Sequence, residues 1–121
     1  MATLTPTLTL TCTDASSDEL NLTVTDSLTI GNPSLNIARA SVLHSGPTQL
    51  LASGSHATDT YFYIKNMDST NFVQVKLDDA TIFSRLRAGE FLFVNMKEAL
   101  GVEVQADTAT CQVEYGYWTN A

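Results

Sequence analysis

The strongest constraint on this chain is the alternation of apolar and polar side chains at every second residue. In residues 3–13 the odd positions are all Thr, and the even positions hold Leu or Cys apart from Pro6. Successive side chains of a β-strand point to opposite faces, so this period predicts a strand with one buried and one solvated face. The side chains expected on its buried face are Leu4, Leu8, Leu10 and Cys12. Because Pro6 has no backbone N–H to donate, we expect this strand at a sheet edge.

The alternation continues in segments that are separated by residues typical of turns. Further strands are predicted for residues 20–30 with a bend near 26, and for 35–43, 49–52, 60–66, 71–77, 91–94, 102–106 and 111–117. Residues 82–86 fit either a strand or one helical turn, and a second helical turn is possible within 95–101. The spacing of about ten residues between turns is typical of an all-β protein, a single antiparallel β-sandwich or barrel. We expect eight to nine short strands in one domain spanning 1–121, with 1–13 as an edge strand or an assembly arm.

Three segments carry more specific predictions. Residues 31–34, Gly-Asn-Pro-Ser, are a turn by composition. The aromatic and β-branched residues 60–66 and the returning segment 71–77 predict a hairpin closed by a loop at 67–70. Residues 91–94, Phe-Leu-Phe-Val, are apolar on both faces, so we expect a central strand that is covered on both sides.

The charge balance excludes one large class of partner. The chain carries a net charge of −7, and among its six basic residues Arg85 and Arg87 form the only local cluster. Binding to phosphate backbones needs clustered Lys and Arg, so we expect no nucleic-acid partner. The first 20 residues lack a positive start and a continuous apolar run, and no stretch of 18 apolar residues occurs. We therefore expect neither a signal peptide nor a membrane partner.

Hydroxyl side chains take the place of charges. The sequence has 17 Thr and 10 Ser, whereas Asp, Glu, Lys and Arg together make up 16%, below the roughly 25% of ordinary soluble domains. Thr is β-branched and suits a pleated, half-solvated surface. This composition favours a protein whose surface lies against other proteins.

Residues that could carry out chemistry are few and dispersed. His44 and His56 both lie in Ser/Gly-rich segments, where we expect solvent-exposed loop histidines rather than acid–base catalysts. No CxxC, HxH or HExxH spacing is present, and Asp78-Asp79 is interpreted as ordinary loop carboxylates rather than Ca²⁺ ligands. Gly89 is expected in a turn that needs a positive φ. We therefore predict no enzymatic activity, no catalytic or metal-binding residues and no cofactor.

The two cysteines lie in strand-like segments near opposite ends of the chain. Without an export signal, we expect Cys12 and Cys111 to be buried, reduced thiols. A disulfide is geometrically conceivable if the terminal strands are neighbours, and the sequence leaves this alternative open.

The second half of the chain resembles small virion proteins of tailed bacteriophages. The resemblance covers about residues 58–118 and rests on the aromatic segment 61–77, Leu-Arg-Ala-Gly-Glu-Phe-Leu-Phe at 86–93, Val-Glu-Val-Gln-Ala-Asp at 102–107 and Cys-Gln-Val-Glu-Tyr at 111–115. The proteins it resembles are capsid decoration (cement) proteins and short β-sandwich tail or fibre components. The resemblance implies a jelly-roll-like sandwich and self-association as a trimer or dimer. It also implies binding to the major capsid protein or other virion proteins, assembly in the host cytoplasm, and a final location in the virion.

An assembly role needs contact surfaces, and the sequence suggests two kinds. A Thr-rich edge strand could pair with a neighbouring subunit, and exposed Tyr or Trp side chains make good contact anchors. The predicted assembly interface comprises Thr3, Thr5, Thr7, Tyr63, Tyr117 and Trp118. An alternative from a different class is a carbohydrate-binding β-sandwich that stacks sugar rings on Tyr63, Tyr117 or Trp118. A cupin-like enzyme is disfavoured because the HxH motif is missing.

Overall fold

The computed structural model describes residues 2–14, 17–78 and 81–121, and these form β-strands and no helix. The strands are β1 (Thr3–Leu4), β2 (Thr7–Cys12), β3 (Leu20–Thr25), β4 (Leu28–Val42), β5 (Thr48–Leu51), β6 (Thr60–Asn66), β7 (Val73–Leu77), β8 (Ile82–Leu86), β9 (Phe91–Met96), β10 (Val102–Ala106) and β11 (Cys111–Asn120). The all-β prediction is confirmed. The described strands number eleven rather than eight or nine, partly because residues 5 and 6 divide the first predicted strand and 82–86 form a strand rather than a helical turn.

The chain divides into two compact units, Met1–Ile30 and Gly31–Ala121. In the first, here called the N-terminal unit, β1 pairs with the start of β4 through Thr3–Thr29 and Leu4–Leu28. In the same unit β2 and β3 form a separate two-stranded antiparallel sheet, which we call the ribbon. Two expectations stay predictions: that residues 1–121 form one domain, and that residues 1–13 act as an assembly arm.

The second unit, here called the main unit, contains two antiparallel sheets with a shared core, as a sandwich-like fold requires. The strand orders are β4-β11-β6-β9 in the first sheet and β5-β10-β7-β8 in the second. Fully buried core residues come from both sheets: Phe62, Ile64, Val73, Val75, Val102, Val104, Cys111 and Val113. Alternate residues of β6, β7 and β10 are buried, because each strand turns one face towards this core.

The hairpin predicted for residues 60–77 is wrong, although both of its strands exist. Strand β6 pairs with β11 and β9, whereas β7 pairs with β10 and β8. The segment between them therefore crosses from one sheet to the other. Both strands bury every second side chain in the same core, so alternation shows which face is buried and does not identify the pairing partner.

The predicted turn at 31–34 is also wrong, since these residues continue strand β4 through a cis Asn32–Pro33 peptide. The end of β11 supplies hydrogen bonds that local composition does not reveal. The Thr119 backbone N–H donates to Ser34 Oγ at 3.1 Å, and the Thr119 hydroxyl donates to the Pro33 carbonyl. These contacts hold Pro33 and Ser34 extended beside β11 rather than folded back in a turn.

Strand β9 lies at a sheet edge and not in the centre, which corrects the prediction for residues 91–94. Its described partner is β6 alone. Leu92 and Val94 pack against the core, whereas Phe91 and Phe93 on the other face are 62% and 41% exposed. The run is therefore apolar for two separate reasons: one face packs in the core, and the other forms an exposed apolar surface. After β9, residues 97–101 form no helical turn.

A buried amide joins the end of β6 to the second sheet. Asn66 is fully buried, and its Nδ2 donates to the carbonyls of Asn71 at 2.8 Å and Leu86 at 3.0 Å. Its Oδ1 accepts from the Asp68 backbone N–H at 3.0 Å. Asp68 in turn accepts from the backbone N–H groups of the residues at 70 and 71. One side chain thus fixes the crossing segment and the end of β8.

Candidate functional site

The ribbon is strictly two-faced. Its register pairs Leu8 with Val24, Leu10 with Leu22 and Cys12 with Leu20. Directly opposite residues share a face of an antiparallel pair, so these side chains form one apolar face without a charged residue. The other face carries Thr7, Thr9, Thr11, Asn21, Thr23 and Thr25. The sequence predicted the alternation of each strand but not that the two strands pair.

The apolar face of the ribbon is exposed, which contradicts the predicted burial of the first strand. Leu8 and Leu10 are 44% and 42% exposed, and Leu20, Leu22 and Val24 are 39–49% exposed. An isolated two-stranded hairpin is marginally stable in water. Covering half of a large aliphatic side chain contributes on the order of 1 kcal/mol, so a partner that covered this face would stabilise the ribbon substantially.

The threonines of the predicted interface lie in the N-terminal unit and are exposed. Thr3 belongs to β1, Thr5 lies between β1 and β2, and Thr7 begins the ribbon. The hydroxyls of Thr7 and Thr25 are 3.3 Å apart across the ribbon. Pro6, which was expected to mark an edge, lies where the strand is interrupted, and its carbonyl accepts the backbone N–H of Asp26.

The aromatic members of the predicted interface lie on two different faces of the first sheet. Tyr63 and Trp118 point away from the core, because their neighbours Phe62 and Tyr117 point towards it and pack there. Tyr63 and Phe62 therefore face opposite sides of the sheet, as successive residues of a strand do. Tyr117 faces the core, so it lies on the opposite side of the sheet from the other two aromatic residues of the predicted interface.

Both outward aromatic residues are held by hydrogen bonds. The Tyr63 hydroxyl donates to Glu114 Oε1 at 2.8 Å. Partial burial and then this bond to a carboxylate raise the pKa of Tyr63 to about 12. Trp118 Nε1 donates to Asn36 Oδ1 at 2.9 Å, and the Trp118 ring lies so close to Gly116 that a Cβ there would be 2.8 Å from it.

The sugar-stacking alternative needs an open aromatic face. Trp118 is only 9% exposed, and Tyr117 packs against the core. Neither ring therefore offers a flat, uncovered surface to a sugar within this chain. The rings that are exposed belong to phenylalanines, which have no polar group with which to orient a hydroxylated ligand.

Exposed phenylalanines mark a second apolar surface in the main unit. Strands β8 and β9 are the edge strands of their sheets and are joined through residues 87–90. We define the β8–β9 edge by its exposed side chains: Ile82, Phe83, Arg85, Arg87, Phe91 and Phe93. In the sequence, the two arginines of this edge form the only local basic cluster. The exposure of the phenylalanines was not predicted, because it depends on the position of β8 and β9 at the ends of their sheets.

Shallow grooves run along this edge. One groove of about 610 Å³ is lined by residues of β8 together with Gln74, Arg87 and Glu90. A second, of about 480 Å³, is lined by Arg85, Leu86, Gly89, Glu90 and Phe91. The Arg85 guanidinium lies 4.6 Å from the centre of the Phe72 ring, which holds the arginine against the residue that precedes β7. Gly89 has φ +80°, as predicted for a turn glycine.

Among the residues that the structure describes, the remaining titratable side chains do not assemble into a reactive cluster. His44 is exposed as predicted, but His56 is 3% exposed and its Nε2 has no hydrogen-bond partner among the described residues. The prediction for Asp78-Asp79 is only half testable, because Asp79 lies outside the described residues. The Asp78 carboxylate lies against Gly101. Within the described ranges no three His, Cys, Asp or Glu residues come close enough together to hold a metal ion.

The two cysteines are free thiols. Cys111 is buried in the core of the main unit, and burial raises its pKa. Cys12, predicted to be buried, is partly exposed on the apolar face of the ribbon.

Searches for a membrane-spanning element and for known relatives add three results. The part of the chain that the structure describes contains no helix long and apolar enough to cross a membrane. A scan against protein-family models found no family that matches this chain. A search of curated protein sequences also found no match.

Proposed function

We propose that this chain is a structural protein of a bacteriophage virion, a capsid decoration protein that binds the assembled capsid lattice. The observation that carries the proposal is the ribbon, whose apolar face is exposed in the single chain. A soluble protein gains stability when such a face is covered, and an assembled particle supplies neighbouring chains that can cover it.

The distribution of exposed apolar residues supports a role in assembly. Besides the ribbon, the β8–β9 edge exposes Ile82, Phe83, Phe91 and Phe93, each more than 40% exposed. Both surfaces are parts of β-sheets, and among the described residues neither brings together three His, Cys, Asp or Glu side chains that could hold a metal ion. They therefore offer area for contact rather than groups for bond making and breaking.

Modest contacts suit a decoration protein. Such a protein binds a lattice through many repeated interfaces, so each one needs only moderate affinity. Because it binds the assembled lattice and not free subunits, it stabilises the assembly by mass action. Hydroxyl-rich surfaces keep the unbound protein soluble without the charge density that would hinder close packing.

The test is saturable co-sedimentation of the purified protein with empty capsids of the phage that encodes it. We expect binding that saturates at a fixed ratio to the major capsid protein and raises the temperature at which the capsids disassemble. The variant Leu10→Ser/Leu22→Ser removes apolar area from the ribbon and should weaken binding. The matched control Thr9→Ser/Thr23→Ser changes the opposite face and should bind normally.

Isolated tails of the same phage provide the second arm of this experiment. Saturable binding to tails and none to capsids would replace the proposal with a tail, baseplate or fibre role. Binding to neither particle, together with oligosaccharide-dependent changes in Trp118 fluorescence, would overturn the virion role in favour of a carbohydrate-binding module.

A further inference from the structure

The ribbon and the β8–β9 edge are complementary in charge. The N-terminal unit contains Asp14, Asp18, Glu19 and Asp26, and the first Lys or Arg in the sequence is Arg39. The β8–β9 edge carries Arg85 and Arg87, both exposed. In a chain with a net charge of −7, these two arginines offer an acidic surface a basic counterpart.

The two surfaces are also complementary in chemistry. The ribbon offers a row of aliphatic side chains. On the β8–β9 edge, Ile82 and Phe83 line the groove of about 610 Å³ and Phe91 lines the groove of about 480 Å³. The one carboxylate that lines both grooves belongs to Glu90, and its Oε1 already accepts the Arg87 backbone N–H at 2.7 Å. An incoming acidic ribbon would thus face two arginines and one carboxylate, whose Oε1 is already engaged with the backbone of the connection between β8 and β9.

Contact of one ribbon with another ribbon is electrostatically unfavourable. The loop between β2 and β3 holds Asp14, Asp18 and Glu19, and Asp26 follows the other end of β3. Both ends of the ribbon are therefore acidic, and face-to-face packing brings carboxylates together whichever way the two ribbons run. Like charges facing one another across an interface disfavour that pairing.

We infer that the ribbon of one copy of this chain docks on the β8–β9 edge of a second copy. The contact joins two different surfaces, so it is heterologous and leaves a free ribbon and a free edge at the ends of any open assembly. Repetition gives a closed ring if the rotation closes and a longer array if it does not. This inference rests on the proposed structural role and names the neighbour that covers the ribbon.

A mixing experiment with two variants tests the heterologous contact. The ribbon variant Leu10→Ser/Leu22→Ser keeps an intact edge, and the edge variant Arg85→Glu/Arg87→Glu keeps an intact ribbon. We expect the unmodified chain to form oligomers in light scattering and each variant alone to be monomeric. An equimolar mixture should form a complex of two chains and stop there, because one functional ribbon meets one functional edge.

Charge and salt provide the matched controls. Arg39→Glu/Lys97→Glu makes the same change in net charge outside the edge and should leave association within about twofold, while reversal at the edge weakens it about tenfold or more. Raising the salt concentration should weaken association of the unmodified chain. Near-ultraviolet circular dichroism from Trp118 reports whether the main unit of each variant is folded.

Three outcomes would overturn the inference. They are a mixture that stays monomeric, an edge variant that self-associates like the unmodified chain, and an unmodified chain that is monomeric at all concentrations. Capsid co-sedimentation separates these results from failure of the proposed function. A monomer that still saturates capsids would refute the contact between copies and leave the decoration role standing.

Discussion

The substitution Asn66→Leu tests whether a buried amide holds the two sheets of the main unit together. Leu has the same number of side-chain heavy atoms and the same branching at Cγ, so no cavity forms, but it no longer makes the hydrogen bonds to Asn71, Leu86 and Asp68. Each such bond contributes about 1 kcal/mol, and a buried backbone group left unpaired costs roughly 1–3 kcal/mol. We expect a loss of about 3–5 kcal/mol in the free energy of unfolding.

Urea denaturation followed by Trp118 fluorescence measures this loss. The free energy of unfolding extrapolates linearly to zero denaturant, and an unchanged slope shows that stability alone has changed. The control Asn95→Leu makes the same exchange at an exposed position of β9 and should change stability by no more than about 0.5 kcal/mol. A loss below about 1 kcal/mol for Asn66→Leu would refute the reasoning, since the bonds would then be replaced by solvent.

Three further predictions concern individual side chains. The pKa of Tyr is about 10 in an unfolded chain, and that of Tyr63 is raised to about 12, so the free energy of unfolding should fall as the pH rises from 10 to 12. In alkaline denaturation Tyr63→Phe should lessen this fall, and an unchanged dependence of stability on pH would contradict the prediction. Iodoacetamide should alkylate Cys12 of the native protein much faster than the buried Cys111, as followed by mass spectrometry. Equal alkylation rates at the two cysteines would argue against burial of Cys111. Gly116→Ala should push the Trp118 ring aside and lower the free energy of unfolding by about 1–3 kcal/mol. A melting temperature equal to that of the unmodified protein would show instead that the ring adjusts freely.

The side-chain pattern predicted the alternation of buried and less buried residues in core strands such as β6, β7 and β10. In β6, predicted as a strand over residues 60–66, Phe62 and Ile64 are fully buried on one face and Tyr63 lies on the other. This succeeds because the direction of a side chain in a strand is set by its own backbone and needs no knowledge of neighbours. Gly89 was predictable for the same reason, since a positive φ is a local property.

Strand pairing could not be predicted, because it depends on contacts that are distant in sequence. The short connection between β6 and β7 looks like a hairpin loop, yet the Asn66 amide and the core direct β7 to the other sheet. Strand β9 was misplaced in the centre because an apolar outer face was taken as a sign of burial. Its exposed Phe91 shows that such a face can instead be surface.

Only part of the candidate site could be recognised in the sequence. The alternating Thr and Leu of residues 3–13 indicated a special strand, but the expected burial of its leucines was wrong. Its partner β3 has the same alternation, and only the register shows that the apolar residues of both strands share a face. Trp118 is covered because of a contact with Asn36, far away in sequence, which composition does not reveal.

The place of β11 in the first sheet has a consequence for synthesis of the protein on the ribosome. This strand lies between β4 and β6, so those two earlier strands have no common neighbour until residues 111–120 have been translated. A nascent chain that stops before them presents two unsatisfied strand edges, which favour misassociation with other nascent chains. Cells that make this protein in quantity should therefore accumulate insoluble material from products truncated before residue 111 and soluble material from products that include β11.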